Sequence, residues 1–191
     1  MTTIILTIPE IAALMRAGDE RSELVLSRLG IGALSDEVAE AGVSSLFARG
    51  LLETEGDDEI APTQVILAAL GLIADSTSTL RLAVVGEETG GTSHVHVVGN
   101  EGVLVTTIGF GCFHFSFLDA SEGVAAIIES AGEAALDHDD RVLLVSVRSE
   151  PGEVSVAVRR ISGSYELSDS AVGTYVQSDD PWRDVAARLA A

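Results

Sequence analysis

The stretch HVHVVGNEGVLVTTI, His94 to Ile108, decides the fold. Two runs rich in β-branched residues, His94–Val98 and Val103–Ile108, flank Gly99-Asn100-Glu101-Gly102, residues suited to the backbone of a tight turn. The reading is an antiparallel hairpin. Downstream the same grammar returns: Val142–Arg148 and Val154–Ile161 surround Glu150-Pro151-Gly152. In the second of these runs Val154, Val156 and Val158 alternate with Ser155, Ala157 and Arg159, which predicts one buried face and one wet face. Leu80–Val85 supplies another strand, joined to His94 through the glycine-rich Gly86 to Ser93. Cys112–Leu118 follows the interruption Gly109-Phe110-Gly111, and Tyr165 to Val176 adds an edge strand.

Helices surround this sheet. Ser121 is expected to cap one that carries Val124, Ile127 and Ile128 and that Gly132 ends. Asp179-Asp180-Pro181-Trp182 opens the last helix, with acids where the helix dipole favours them. Trp182, the one tryptophan, is expected to pack that helix onto the sheet. Residues 1–80 read as helical. Ile8, Ile11, Ala12 and Met15 fall at helical spacing around Pro9 in a first turn. Asp19-Glu20 start a second helix with Leu24, Val25 and Leu29, closed by Gly30. Ser35 caps a third that buries Val38, Leu46 and Phe47. Two short strands about an acidic turn, Glu53 to Asp58, complete a winged-helix outline, and Thr63 to Ala74 forms an apolar helix. The fold class is therefore α+β: one domain over 1–191, with a winged-helix-like helical part (1–80) before an antiparallel sheet packed by helices (81–191).

Charge narrows the function. The chain carries 30 acids against 11 bases, a formal net of −19, and every base is arginine. That field repels phosphate backbones and anionic membranes, whose affinity depends on basic side chains. The third helix carries Asp36, Glu37 and Glu40 with only Arg49 as a base, and the wing is acidic, so groove reading is not expected. The lack of lysine removes P-loop, pyridoxal and protein-kinase chemistry. An all-arginine, Ala/Gly/Val-rich composition goes with a GC-rich genome. With 4% aromatic residues the core must be aliphatic. The single cysteine, Cys112, forbids an intrachain disulfide and fits a reducing compartment. The N-terminus has no basic n-region of a signal peptide, and the apolar run Val65–Ala74 is too short to span a bilayer. A cytoplasmic protein is the expectation.

Two places draw attention. His94-x-His96 and Cys112-x-His114 each put two metal-ligating side chains on one face of a strand, because residues two apart in a strand point the same way. If the two strands were adjacent, they would offer a Cys/His₃ set of the kind zinc accepts. An intervening Val103–Ile108 strand would hold the pairs about 10 Å apart, two strand spacings. That is the alternative function, a metal-dependent or small-molecule-binding activity at His94, His96, Cys112 and His114. The second place is the loop Glu87, Glu88, Thr89, Gly90 and Gly91, longer than a tight hairpin needs and charged for a basic partner.

The segments SLFARGLLETEGDDEIAPTQVILAAL (Ser45 to Leu70) and IADSTSTLRLAVV (Ile73 to Val85) resemble the first half of the EspG-type chaperones of mycobacterial and actinobacterial type VII secretion. Those proteins have a helical region with an RGL-x-acidic-Gly turn, then an arginine-bearing strand leading into an antiparallel sheet. HVHVVGNEGVLVT…FHFSFLDASEGVAAIIESAG (His94 to Gly132) is similar to them in its strand, turn, strand, helix order, although this chain is shorter. The resemblance implies a non-enzymatic cytosolic chaperone or adaptor, without cofactor or catalytic residue, that holds a helical secreted protein by its tip. It also implies that a loop between early strands, here residues 87–91, engages that partner.

Overall fold

The computed structural model describes residues 3–16, 18–55, 59–86, 90–137, 141–149 and 152–190, the side chains of residues 55, 59, 90 and 149 excepted. In chain order the elements are β1 (Thr3–Thr7), α1 (Ile8–Leu14), α2 (Glu20–Arg28), α3 (Asp36–Ala48), β2 (Leu52–Glu55), β3 (Glu59–Pro62), α4 (Gln64–Asp75), β4 (Thr79–Val85), β5 (Gly90–Val98), β6 (Glu101–Thr107), β7 (Cys112–Asp119), α5 (Val124–Ala135), β8 (Val142–Ser149), β9 (Gly152–Ile161), β10 (Ser164–Ser168), β11 (Val176–Ser178) and α6 (Pro181–Leu189). The chain is α+β, as its patterning predicts. Its internal contacts divide it into two units: residues 1–76 with 107–117, and residues 77–106 with 118–191. No helix among the described residues is long and apolar enough to cross a membrane.

In the first unit, residues 3–7 correct the sequence reading: they form a strand and not the approach to a helix. Thr-Ile-Ile-Leu-Thr is mostly β-branched, which disfavours helix, and it pairs antiparallel with β7 from Thr3↔Ser116 to Thr7↔Cys112. Thr7 then turns the chain. Its hydroxyl accepts from the Glu10 amide, and the Glu10 carboxylate accepts from the Thr7 amide at 2.8 Å, a reciprocal capping box.

Glu10 is 0% exposed. Its carboxylate accepts from the Ser45 hydroxyl at 2.7 Å and from Arg49 Nη1, which lies 2.7 Å from both oxygens. Arg49 Nη2 also donates to the Ile5 carbonyl at 2.8 Å, so one guanidinium ties α3 to α1 and β1. Burial by itself pushes the Glu10 carboxyl up. The Ser45 hydroxyl, the Thr7 amide and Arg49 together outweigh it and hold the group below the usual carboxylate range.

The α1–α3 contact is close because Gly42 allows it: a Cβ there would lie 1.8 Å from the Pro9 carbonyl oxygen. This sets the phase of α3, which buries Ala39, Gly42 and Leu46, leaves Val38 half-buried and turns Phe47 outward at 50% exposure. Phe47 is thus not the core residue expected. Ser35 stands at the N-cap but makes no capping bond. On α2, Val25 and Leu29 are buried while Leu24 faces out. The hairpin β2–β3 follows α3, in the order of a winged helix. α4 buries Ile66, Ala69, Leu70 and Ile73, one stripe at helical spacing, and Arg28 of α2 donates to the Ile73 carbonyl and to Ser76 Oγ at α4's end.

In the second unit the antiparallel strand order is β6-β5-β4-β8-β9-β10-β11. β5 and β6 join through Gly99-Asn100, with Gly99 at φ 61°. Two strands, β10 and β11, stand where one edge strand over 165–176 was expected. The core is aliphatic: Leu80, Leu82, Val95, Leu143, Val145, Val156, Val158 and Leu167 from the sheet meet Ile127, Ile128 and Leu136 of the α5 region and Trp182 and Val185 of α6. Alternation along the strands puts these sheet residues on one face, so both helices cover that face. Ala157, on the other face, is also fully buried, so β9 has no wholly wet side. It lies between Leu144 of β8 and Ser168 of β10 in register.

Two glycine and capping expectations change here. Gly132 does not end α5, which continues to Ala135. It makes room for Trp182 instead, because a Cβ on Gly132 would lie 2.2 Å from the indole. The tryptophan is 6% exposed, and Tyr165 meets it edge-on with centroids 5.3 Å apart. The Tyr165 hydroxyl donates to Glu133 at 2.8 Å. The N-cap of α5 is Gly123, not Ser121, whose amide is taken by Asp119 Oδ1 at 2.9 Å.

Arg49→Ala strands the buried Glu10 carboxylate, and urea unfolding is expected to show a loss of about 3 kcal/mol. Glu10's folded pKa lies below its unfolded one, so its contribution is complete above the unfolded value and lost as pH falls through the folded one. Stability is expected to fall as pH drops below about 4.3, and Glu10→Gln to reduce that slope. Gly132→Ala overpacks the indole and should cost about 1–3 kcal/mol, with a change in the near-ultraviolet circular dichroism of Trp182.

Candidate functional site

Strand register, more than any single residue, defines the surface opposite α5 and α6. Because side chains of directly paired residues point to the same side, the partners Val105↔His94↔Arg81↔Ser146↔Ser155 form one row across β6, β5, β4, β8 and β9. The next row is Val103↔His96↔Thr79↔Arg148↔Glu153. Neither row contains a residue of the helix-packed core. On β4, β8 and β9 this surface presents Arg81, Val85, Arg148 and Glu153 to solvent, with Thr79, Leu144 and Ser155 half-buried between them. Between the arginines lie Ser146 and Ala83, small and buried at 1% and 7% exposure.

The histidines of β5 lie in these rows. His96 is completely buried and its Nδ1 lies 3.5 Å from the Thr79 hydroxyl, while His94 is half-buried beside Arg81. Cys112 and His114 sit on β7, opposite Thr7 and Ile5 of β1. β5 has β4 on one side and β6 on the other, so it does not neighbour β7 and the four side chains do not share a pair of adjacent strands. Among the described residues no group of three or more His, Cys, Asp and Glu side chains is placed to hold a metal ion. The Cys/His₃ set suggested by spacing needs adjacency that the register denies it.

Of the expected partner-binding loop, Glu87, Glu88 and Thr89 lie outside the described residues. Gly90 and Gly91 are the first residues of β5, paired with Val85 and Val84. The acidic turn of the β2–β3 hairpin, residues 56–58, also lies outside them. On α3 the exposed Asp36, Glu37 and Glu40 stand as read from sequence, and Arg49, its base, is engaged by Glu10 and the Ile5 carbonyl.

Two features were not found by sequence reasoning. One is the placement of Arg81 and Arg148 on a shared surface, which requires the β4–β8 register and not the sequence of either strand. The other is a 370 Å³ concavity in the first unit, lined by Leu14, Met15, Val25, Pro62, Leu67 and Leu70 with Arg21 at its rim. Arg21 itself pairs with Asp75 at 2.7 Å. Leu67, 45% exposed on an otherwise apolar helix, was the available signal for this groove. Compared with family models and with curated proteins, the chain matches none of either.

Proposed function

We propose that the protein is a non-catalytic protein-binding adaptor or chaperone whose docking surface is the sheet face opposite α5 and α6. One observation carries this reading: both helices of the second unit cover the same face, and the other, across β4, β8 and β9, offers solvent-facing Arg81, Val85, Arg148 and Glu153. Solvent-facing charged and apolar side chains spread over three strands suit contact with another protein. The resemblance to EspG-type chaperones supports a helical secreted protein as the partner. Nucleic acid is the less suitable ligand, because the net charge is −19 and the single base of the would-be recognition helix is held by Glu10.

The test is cross-linked capture from the native cytosol, comparing the wild type with Ser155→Trp and Val85→Asp, substitutions at half-buried and exposed positions of the docking face. A helical secreted protein recovered at about equimolar yield, and lost from both variants while their thermal midpoints stay within about 3 °C of wild type, is the expected result. Equal recovery by wild type and both folded variants would remove this face from the function. The protein is also expected to show no salt-dependent affinity for duplex DNA in an electrophoretic shift assay.

A further inference from the structure

Arginine is scarce in this chain and most of it is engaged. Arg16, Arg21, Arg49, Arg141, Arg159 and Arg188 each pair with a carboxylate. Arg28 donates to Ile73 and Ser76, and Arg160 lies over the Tyr165 ring. Of the eleven arginines, those six pair with a carboxylate among the described residues, and Arg28, Arg81, Arg148, Arg160 and Arg183 do not. Three of these five also make no backbone or ring contact among the described residues: Arg183 on α6, and Arg81 and Arg148, which are neighbours on one sheet face. Arg81 is opposite Ser146 and Arg148 is opposite Thr79, which makes the two arginines a diagonal pair on one face, about 7–8 Å apart at Cα. Both are exposed. The residues directly opposite Arg81 are His94 and Ser146, neither of them acidic. Glu153 is opposite Arg148 in register, yet the two are not in ion-pair contact among the described residues.

We infer that Arg81 and Arg148 form a carboxylate-binding fork that selects an acidic segment of the docking partner. This rests on the sheet face being the docking surface and adds the partner's charge. Each guanidinium presents a planar pair of N–H donors matched to a carboxylate, and two such groups one diagonal apart match acids on successive turns or alternate residues of a peptide. Hydroxyls of Thr79 and Ser155, half-buried beside them, provide further donors without charge. A chain of net −19 repels acidic peptides at long range, so an acidic partner gains its affinity from this local pair and from no general attraction. The sequence of residues 87–91 suggests a basic partner for that loop, whereas the arginine pair gives the sheet face the opposite preference.

The probe is a capped hexaglutamate peptide, with capped hexaglutamine as its neutral control, titrated at low ionic strength while the arginine Nε–Hε signals are followed by NMR. Hexaglutamate is expected to move the signals of Arg81 and Arg148 selectively, and hexaglutamine to leave them in place. Arg81→Gln/Arg148→Gln should bind hexaglutamate at least about tenfold more weakly, and Arg81→Lys/Arg148→Lys should fall between, since lysine keeps the charge and loses the fork. These are exposed positions, and circular dichroism of each variant confirms that it folds. No selective movement, or equal affinity in the glutamine variant, overturns the inference. If that happens while Ser155→Trp still abolishes partner capture, the docking face stands and only its acidic partner falls; if capture also survives Ser155→Trp, the face itself is wrong and the inference falls with it.

Discussion

The helical unit is organised around a carboxylate that water does not reach. Glu10 receives the Thr7 amide from the junction of β1 and α1, and the Ser45 hydroxyl and Arg49 guanidinium from α3. A buried charge is tolerated only when its lone pairs are satisfied, so these contacts cannot be relaxed independently. They fix where β1 stops, which face of α1 meets α3, and hence that position 42 must be glycine beside the Pro9 carbonyl. Arg49 passes the constraint on by bonding the Ile5 carbonyl of β1, whose strand pairs with β7. The exposed Phe47 follows from this too: the helix phase that points Ser45 and Arg49 at Glu10 turns residue 47 outward.

In the sheet unit, arginine performs a different kind of work. Arg159 is bonded to Glu166 at 2.6 Å across β9 and β10 and lies over the Tyr175 ring at 3.9 Å. Arg160, on the opposite face of the same strand, lies over Tyr165, which in turn meets Trp182. Adjacent residues of one strand thus fasten the β11 side of the sheet and the α6 side. Arg81 and Arg148 perform neither task. An excess of acids makes such an omission informative, because an arginine at the surface of this chain has many carboxylates to reach and, among the described residues, these two reach none.

The strand hairpins were legible because their pairing is local: a glycine-rich turn between alternating runs specifies both partners within about twenty residues. β1 was not, since five β-branched and aliphatic residues read equally as the start of a helix and their partner lies beyond position 111. Gly132 looked like a helix end for the same reason. Its meaning is supplied by Trp182, fifty residues on. At Glu10 the signal was present: Thr7 followed three residues later by Glu10 is the capping-box pattern, although nothing in it announces that Arg49 will bury the carboxylate. Of the candidate site, the residue types at 81, 94, 96 and 148 could be read, and their shared face could not. A shift of one residue between β4 and β8 would have sent Arg148 to the core side.

The pairing of β1 with β7 carries a consequence for how the chain is made. Thr3 meets Ser116, and between them the ribosome must produce residues 77–106, which belong to the other unit. At about 5–20 residues per second, β1 waits on the order of 5–20 s for its partner strand to be synthesised. Closing a loop of that length costs about 4 kcal/mol of chain entropy, so α1 and α3, close in sequence and joined through Glu10, must hold the strand's end before the pairing can repay it. The helical unit is therefore expected to assemble from its inside outward, with β1 among the last pieces to be secured.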